Sequence, residues 1–456
     1  MIRRPSPRLL AALLALAPLL AVSAAEPSPE TQAPPAGTPA VQQPGDVSLV
    51  ISQGRGAKVP VAVPPAIAPI TPELQAQVAD PFHATLSDDL AGSSVFVVTD
   101  PALYPKGARP PATREQGDAW IAGSAQFLLD TQLEPRGDQI VLSARLWDLK
   151  TLKAIFDRRY QGESRAARRM AHVLANDLVR QFTGKPGPFL TKIAFVSDRD
   201  NQGAKELYLM DFDGQGQRRV TYHKSLSLAP DWSPDGGKIV YQSYWKGAPG
   251  LFYVSKDGGE KHPINVPTQL NASPSFSPDG RTIAYCGSVR GNPEIFTVNV
   301  DGSGLKRLTD SAAIDSTPRW TPNGRELAFT SNRQGSPQLY MMDLEGANVR
   351  RVTFAGNWND EASFAPDGGR LAYACRNEGD MQICVQDLAS GRVFQVSSGA
   401  GAHENPTWSP DGSKLAWEVS RGSSTQIMIA NADGTGAKIV TSAGNNYSPS
   451  WSKTLE

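Results

Sequence analysis

Apolar and polar positions along the chain follow two different periods. From Thr71 to Leu90, the residues Leu74, Val78, Phe82, Leu86 and Leu90 recur every four positions, a stripe that drifts slowly around a helix. Thr71-Pro72 supplies an N-cap and a first-turn proline, and Pro81 inside the stripe removes a hydrogen bond and predicts a kink. Around this helix the apolar runs are short and rich in strand-forming residues. Val47 to Ser52, Ser94 to Thr99, Gln126 to Leu133, Ile140 to Trp147 and Lys153 to Tyr160 read as strands, the last three joined by turns at Arg136-Gly137-Asp138 and Asp148 to Thr151. Ser164 opens a second helix carrying Met170, Val173, Leu174 and Leu178, which ends near Gly184 and Pro186. Arg165, Arg168 and Arg169 on it read as a solvated face.

After Phe189 the pattern repeats itself. Pro230-Asp-Trp232-Ser-Pro-Asp-Gly236 returns as Pro274-Ser-Phe276-Ser-Pro-Asp-Gly280, Pro318-Arg-Trp320-Thr-Pro-Asn-Gly324 and Pro406-Thr-Trp408-Ser-Pro-Asp-Gly412, with a fifth copy around Phe364 that has Ala362 for the first proline. The aromatic advances 44 residues each time, and a partial copy at Trp451 follows 43 residues after Trp408. Each unit predicts a short inner strand, a Pro-Asp-Gly turn in which proline presets φ and glycine accepts φ > 0, an apolar strand such as Thr282 to Tyr285, a third strand, an Asp-Gly turn and a fourth strand. Four antiparallel strands in each unit are the signature of propeller blades.

The ring closes by counting. The apolar strand Lys192 to Phe195 has no aromatic strand before it, and the aromatic strand at Trp451 has no partner after it. Together the two orphans complete a sixth blade and leave no open edge. The predicted fold is therefore mainly β, an α/β N-terminal domain followed by a six-bladed β-propeller closed by its C-terminal strand.

The N-terminus adds a signal peptide: Arg3, Arg4 and Arg8, then an apolar run from Leu9 to Val22, then small residues before Glu26. The domains expected are a signal peptide at 1–25, a Pro-rich disordered tether at 26–45, the α/β domain at 46–188 and the propeller at 189–456. No transmembrane segment is expected in the mature chain, and the expected location is the periplasm. Lys and Arg number 45, as do Asp and Glu, so net charge gives no support to nucleic-acid binding. Of the three cysteines, Cys375 and Cys384 fall on neighbouring strands of one hairpin, compatible with either a disulfide or two buried thiols.

No Gly-x-Ser-x-Gly elbow or Walker A motif occurs, the Asp-Gly pairs read as turns, and no cofactor or metal is expected. The stretches just before the inner aromatics vary while the scaffold repeats: Ser225 to Ala229, Gln269 to Ser273, Ala313 to Thr317, Asn357 to Glu361, Ala402 to Asn405 and Asn445 to Ser448. They gather at one mouth of the central channel, where a binding surface is expected. Asp315, Asp360, Glu361, His403 and Glu404 make part of that mouth acidic, and Asn271 and Tyr447 belong to the same stretches. The competing reading is a propeller enzyme of lyase or lactonase type, for which His403 and Glu404 are the adjacent candidate ligands.

The order of signal peptide, α/β domain and Pro-x-Trp-Ser-Pro-Asp-Gly blades, with Trp120-Ile-Ala-Gly-Ser and the run from Leu146 to Phe182 leading into Thr191-Lys-Ile-Ala-Phe, resembles the TolB family of the Gram-negative Tol-Pal system. The resemblance runs from about Val47 to Trp451. It implies a non-enzymatic periplasmic adaptor whose propeller mouth binds the lipoprotein Pal and whose N-terminal part communicates with TolA and the inner-membrane Tol complex; the protein itself is expected to be a monomer. Such a protein supports outer-membrane invagination at division and envelope integrity, or, as a TolB-like propeller, binds another envelope protein. The family's Pal-contact positions match Leu270, Ser273 and Ser316 here, with residue types that differ from the usual ones. For TolA, either the tether itself or the first strand, with Val47 and Leu49, is the binding element.

Overall fold

The computed structural model describes residues 58–68, 70–106, 109–200, 203–376 and 379–452. The expected signal peptide, the expected tether and the strand expected at Val47 to Ser52, with Val47 and Leu49, lie outside the described residues. The N-terminal region is a five-stranded sheet in the order Phe96–Val98, Val59–Ala62, Phe127–Arg136, Gln139–Asp148, Lys153–Glu163. Val59–Ala62 runs parallel to both its neighbours, and the last three strands form an antiparallel meander. Three helices flank it: α1 (Asp80–Gly92), α2 (Arg114–Ala122) and α3 (Ala167–Thr183). Leu86 and Leu90 of α1 and Leu174 and Leu178 of α3 share one core with Leu129, Leu142 and Leu146 of the sheet. Trp120 of α2 packs on the other face with Ala62, Leu128 and Leu149.

Local chemistry explains where these helices begin and end. The Thr71 hydroxyl accepts from the Leu74 N–H at 3.4 Å, as an N-cap does. The chain then makes one π turn, Gln75–Ala79, in which the Asp80 N–H reaches back to the Gln75 carbonyl, and continues as α1, so the widened turn accommodates Pro81, which has no N–H to donate. The kink expected at Pro81 thus takes the form of a wide turn just before it. Gly184, at φ +74°, ends α3. Helix α2 was absent from the sequence reading, although Thr113 and Gln116 form a capping box at its start.

The rest of the chain forms six four-stranded antiparallel sheets. Blade 1 joins the two orphans: Asn446–Trp451 pairs with Lys192–Ser197, placing Trp451 opposite Ile193 and Asn446 opposite Ser197. Glu206–Asp211 and Arg218–Arg219 complete it, and blades 2 to 6 span 227–264, 272–307, 315–351, 358–395 and 402–439. In the Pro-Asp-Gly turns the glycine is left-handed, as at Gly236 (φ +66°), whose N–H closes the turn onto the Ser233 carbonyl at 2.9 Å. The inner tryptophans stitch neighbouring blades: Trp232, Trp320 and Trp408 donate their indole N–H to the carbonyls of Ser450, Ser275 and Ser363 at 3.0, 3.1 and 3.1 Å. Cys375 and Cys384 form a disulfide between the second and third strands of blade 5.

The N-terminal domain packs on the end of the ring where each second strand starts. One apolar core runs from α1 and α3 through Phe189 into Phe212 and Trp451 of blade 1 and Ile427 and Ile429 of blade 6. Arg168 corrects the solvated-face reading of α3. Its guanidinium is part-buried and binds Asp211 and Asp213 of blade 1, with Nη2 2.6 Å from Asp213. Beside it, His172 Nδ1 lies 2.6 Å from Asp89 of α1. Lys414, at the start of a second strand in blade 6, donates to the Gly92 carbonyl at the end of α1 and to Asn431 at 2.9 Å, and burial lowers its pKa to about 8. One face of the ring is therefore covered over blades 1 and 6, and the inner-strand loops open on the other.

Candidate functional site

Each inner strand, Ser227–Trp232, Ala272–Phe276, Asp315–Trp320, Trp358–Phe364, Ala402–Trp408 and Asn446–Trp451, begins at the open face. Every one carries a bulge, seen as a register shift against the second strand. The residue three places before the aromatic is left-handed in all six: Ala229, Ser273, Thr317, Glu361, Asn405 and Ser448 have φ between +46° and +60°. A left-handed non-glycine residue costs on the order of 1–2 kcal/mol, so the ring holds six strained positions in register at its mouth. In five blades proline comes next and has no N–H for the bulge to leave unpaired.

The bulge decides which side chains reach the channel. Five places before the aromatic, Ser227, Asn271, Asp315, Asn359, His403 and Asn446 are buried between strands. Three residues expected at the mouth therefore sit in the scaffold instead. Asn271 donates to the Pro249 and Thr268 carbonyls, both at 3.0 Å. Asp315 pairs with Arg333 at 3.0 Å, and burial raises its pKa. His403 accepts the Trp417 indole N–H at 2.8 Å, and burial lowers its pKa to about 4. By contrast Leu270, Ser273, Ser316, Asp360, Glu361, Glu404 and Tyr447 are half-buried around the opening.

Carboxylates in the channel tie one blade to the next. Glu361 of blade 5 accepts the Asn405 N–H of blade 6 at 2.6 Å, and Glu418 of blade 6 accepts the Ser448 N–H of blade 1 at 2.6 Å. Both donors are bulge residues. Asp360 accepts from the hydroxyls of Thr330 and Thr317 in blade 4 at 2.5 and 3.0 Å, and Asp231 accepts the Phe276 N–H at 2.8 Å. Burial, followed by the charges of Asp360, Glu404 and Glu418, holds Glu361 well above the usual carboxyl range, and burial first pushes Glu418 up to about 7. Lys205 lies with Nζ 3.3 Å above the Tyr447 ring, its pKa lowered by burial.

With this geometry in hand, comparison with known proteins is direct. A family model described as the TolB beta propeller domain matches residues 179–455. The chain belongs to the TolB family. A second model, the TolB amino-terminal domain, matches residues 47–155 of this TolB-family chain. A Tol-Pal system protein TolB from Syntrophotalea carbinolica is 35% identical over 166 residues, 36% of this chain and 38% of the relative. One from Desulfosudis oleivorans is 32% identical over 197 residues, 42% and 44% of the two chains. The chain thus matches less than half the length of either relative. The crystal structure of TolB from Acinetobacter baumannii superposes with a TM-score of 0.77 at 25% identity, covering 87% of this chain and 97% of that one.

In this TolB-family mouth, Leu270 and Ser273 stand at the opening of blade 3 and Ser316 at that of blade 4. Glu418 and Lys205 are the channel residues that sequence reasoning missed. A signal for the first existed: aligned second strands have Val196, Gln242, Cys286, Thr330 and Ala374 where blade 6 has Glu418. Lys205 reaches the mouth through a single bridge to Leu226, which no repeat marks. Among the described residues no group of three or more His, Cys, Asp or Glu side chains is arranged to hold a metal ion.

Proposed function

We propose that this chain is a non-enzymatic binding adaptor of the Tol-Pal system, exported to the periplasm with loss of residues 1–25, tethered by 26–45, and built from an α/β domain at 46–188 and a propeller at 189–456. The open mouth docks Pal. The N-terminal part links the protein to TolA and the inner-membrane Tol complex, and the monomeric adaptor serves outer-membrane invagination at division and envelope integrity. The observation that carries this reading is the asymmetry of the ring. One face is occupied by the N-terminal domain, and the other presents six strained bulges whose scaffold repeats while the channel-facing residues differ from blade to blade. The similarity to Tol-Pal system proteins TolB supports it. The enzyme reading loses its best candidates, because His403 is buried against Trp417 while Glu404, next to it, is half-buried at the channel.

The test is a pull-down of the mature protein against soluble Pal. Wild type is expected to bind, and Ser273→Arg and Ser316→Arg to lose binding, since a long cationic side chain at the opening obstructs a partner seated there. Undiminished binding by both variants overturns the mouth as the docking site.

A further inference from the structure

The loops between second and third strands flank the inner-strand loops on the open face. In blade 2 the Tyr244 N–H donates to the Leu226 carbonyl at 3.0 Å. Four residues beyond the second-strand aromatic, blades 1 and 4 carry Arg199 and Arg333. Each lies over the scaffold rings of its own blade, Arg199 at 5.4 and 4.8 Å from Phe195 and Tyr208, Arg333 at 5.2 and 4.9 Å from Phe329 and Tyr340. Blade 2 has Trp245 there instead. Its ring stands 5.0 Å from His223 and 6.0 Å from Phe252, yet it remains 45% exposed, and Tyr222 next to His223 is 63% exposed. The blade scaffold is served by arginine at this position, so a half-exposed tryptophan is not demanded by folding.

Cations lie close to both rings. Arg219 lies 4.5 Å over Tyr222 and Lys261 Nζ 5.4 Å from Trp245, while Lys224 and Lys246 adjoin them in sequence. The nearby carboxylates, Glu206 and Asp200, are engaged by Arg219 at 2.9 and 3.5 Å. His223 holds the Tyr241 hydroxyl at 2.7 Å through Nε2, and its buried Nδ1 has no hydrogen-bond partner. Exposed Trp and Tyr, one of them under Arg219, are residue types enriched in protein-binding hot spots.

We infer that this corner of the open face docks an acidic segment of the protein partner, with an apolar side chain of that segment lying against Trp245 and Tyr222 and its carboxylates meeting Lys224, Lys246 and Lys261. The inference rests on the reading that a protein docks at the mouth. It deepens that reading by naming the corner of the open face that the partner's acidic segment meets, where Arg219 lies over Tyr222 and Lys261 near Trp245.

The experiment titrates soluble Pal into the full mature protein, comparing wild type, Trp245→Ala, and the double variant Lys246→Glu with Lys261→Glu, at low and high salt. Trp245 is 45% exposed, so Trp245→Ala removes aromatic surface without changing the charge, and an unchanged urea midpoint shows that the variant keeps the fold. Each variant is expected to bind about tenfold more weakly or worse, and the lysine variant to lose most of the salt dependence that wild type shows. Wild-type affinity in both variants, with binding still abolished in Ser316→Arg, overturns this inference and leaves the mouth reading standing. Failure of wild type to bind Pal overturns the mouth reading and this inference with it.

Discussion

Glu418→Gln tests the channel electrostatics on their own. Glu418 is 7% exposed and accepts the Ser448 N–H across the closing blade interface. Burial, with Glu404 adding to it, raises its pKa from 4.5 to about 7. The folded chain therefore keeps this proton over a range in which the unfolded chain has released it. Between about pH 4.5 and about pH 7 the folded state binds more protons, so stability falls as pH rises through that window. Above it, a shift of that size corresponds to about 3 kcal/mol as an upper bound. Glutamine keeps the volume and an acceptor oxygen for Ser448 but cannot ionise. Urea unfolding followed by tryptophan fluorescence is expected to show Glu418→Gln more stable than wild type by about 1–3 kcal/mol near pH 8, with the gap closing near pH 4.5. A variant less stable than wild type at every pH refutes the reasoning, because the ionised carboxylate would then be the favoured partner of Ser448.

Two further substitutions address closure and domain contact. Trp451→Ala removes a 7% exposed ring and its 2.7 Å indole hydrogen bond to Thr191, both at the seam that joins the chain's last strand to blade 1. A destabilisation of about 3–5 kcal/mol in urea is expected, and an unchanged midpoint would show that the seam is not held there. Arg168→Ala leaves Asp213 without the cation that binds both its oxygens; a loss of about 1–3 kcal/mol and faster proteolysis between α3 and blade 1 are expected, with no change in either measurement as the contrary result.

The blades were legible because their determinants are local. A Pro-Asp-Gly turn and an aromatic at fixed offset specify a hairpin whatever lies around it, and the unmatched Lys192 and Trp451 strands identified the seam. Which mouth residues face the channel was not legible by the same route. Strict alternation fails at the bulge, so Asn271, Asp315 and His403 turn into the scaffold while Asp360, Glu361 and Glu404 line the opening. A positive φ at Thr317 or Ser448 leaves no mark in composition, since neither is glycine. Arg168 was misread for a different reason: its partners lie more than 40 residues away in another domain, and helix periodicity alone cannot tell solvent from a second domain. Glu418 was visible only by comparing the second strands column by column, where a lone charge among uncharged residues marks a buried special site.

The most direct measurement of the central claim is site-specific photo-crosslinking to Pal from the two faces of the ring. A crosslinking residue at Thr317, in the mouth of blade 4, is expected to capture Pal, and one at Asp235, in the Pro-Asp-Gly turn of blade 2 at the opposite end of the strands, is not. Capture from Asp235 with none from Thr317 would contradict the assignment of the open mouth as the docking face.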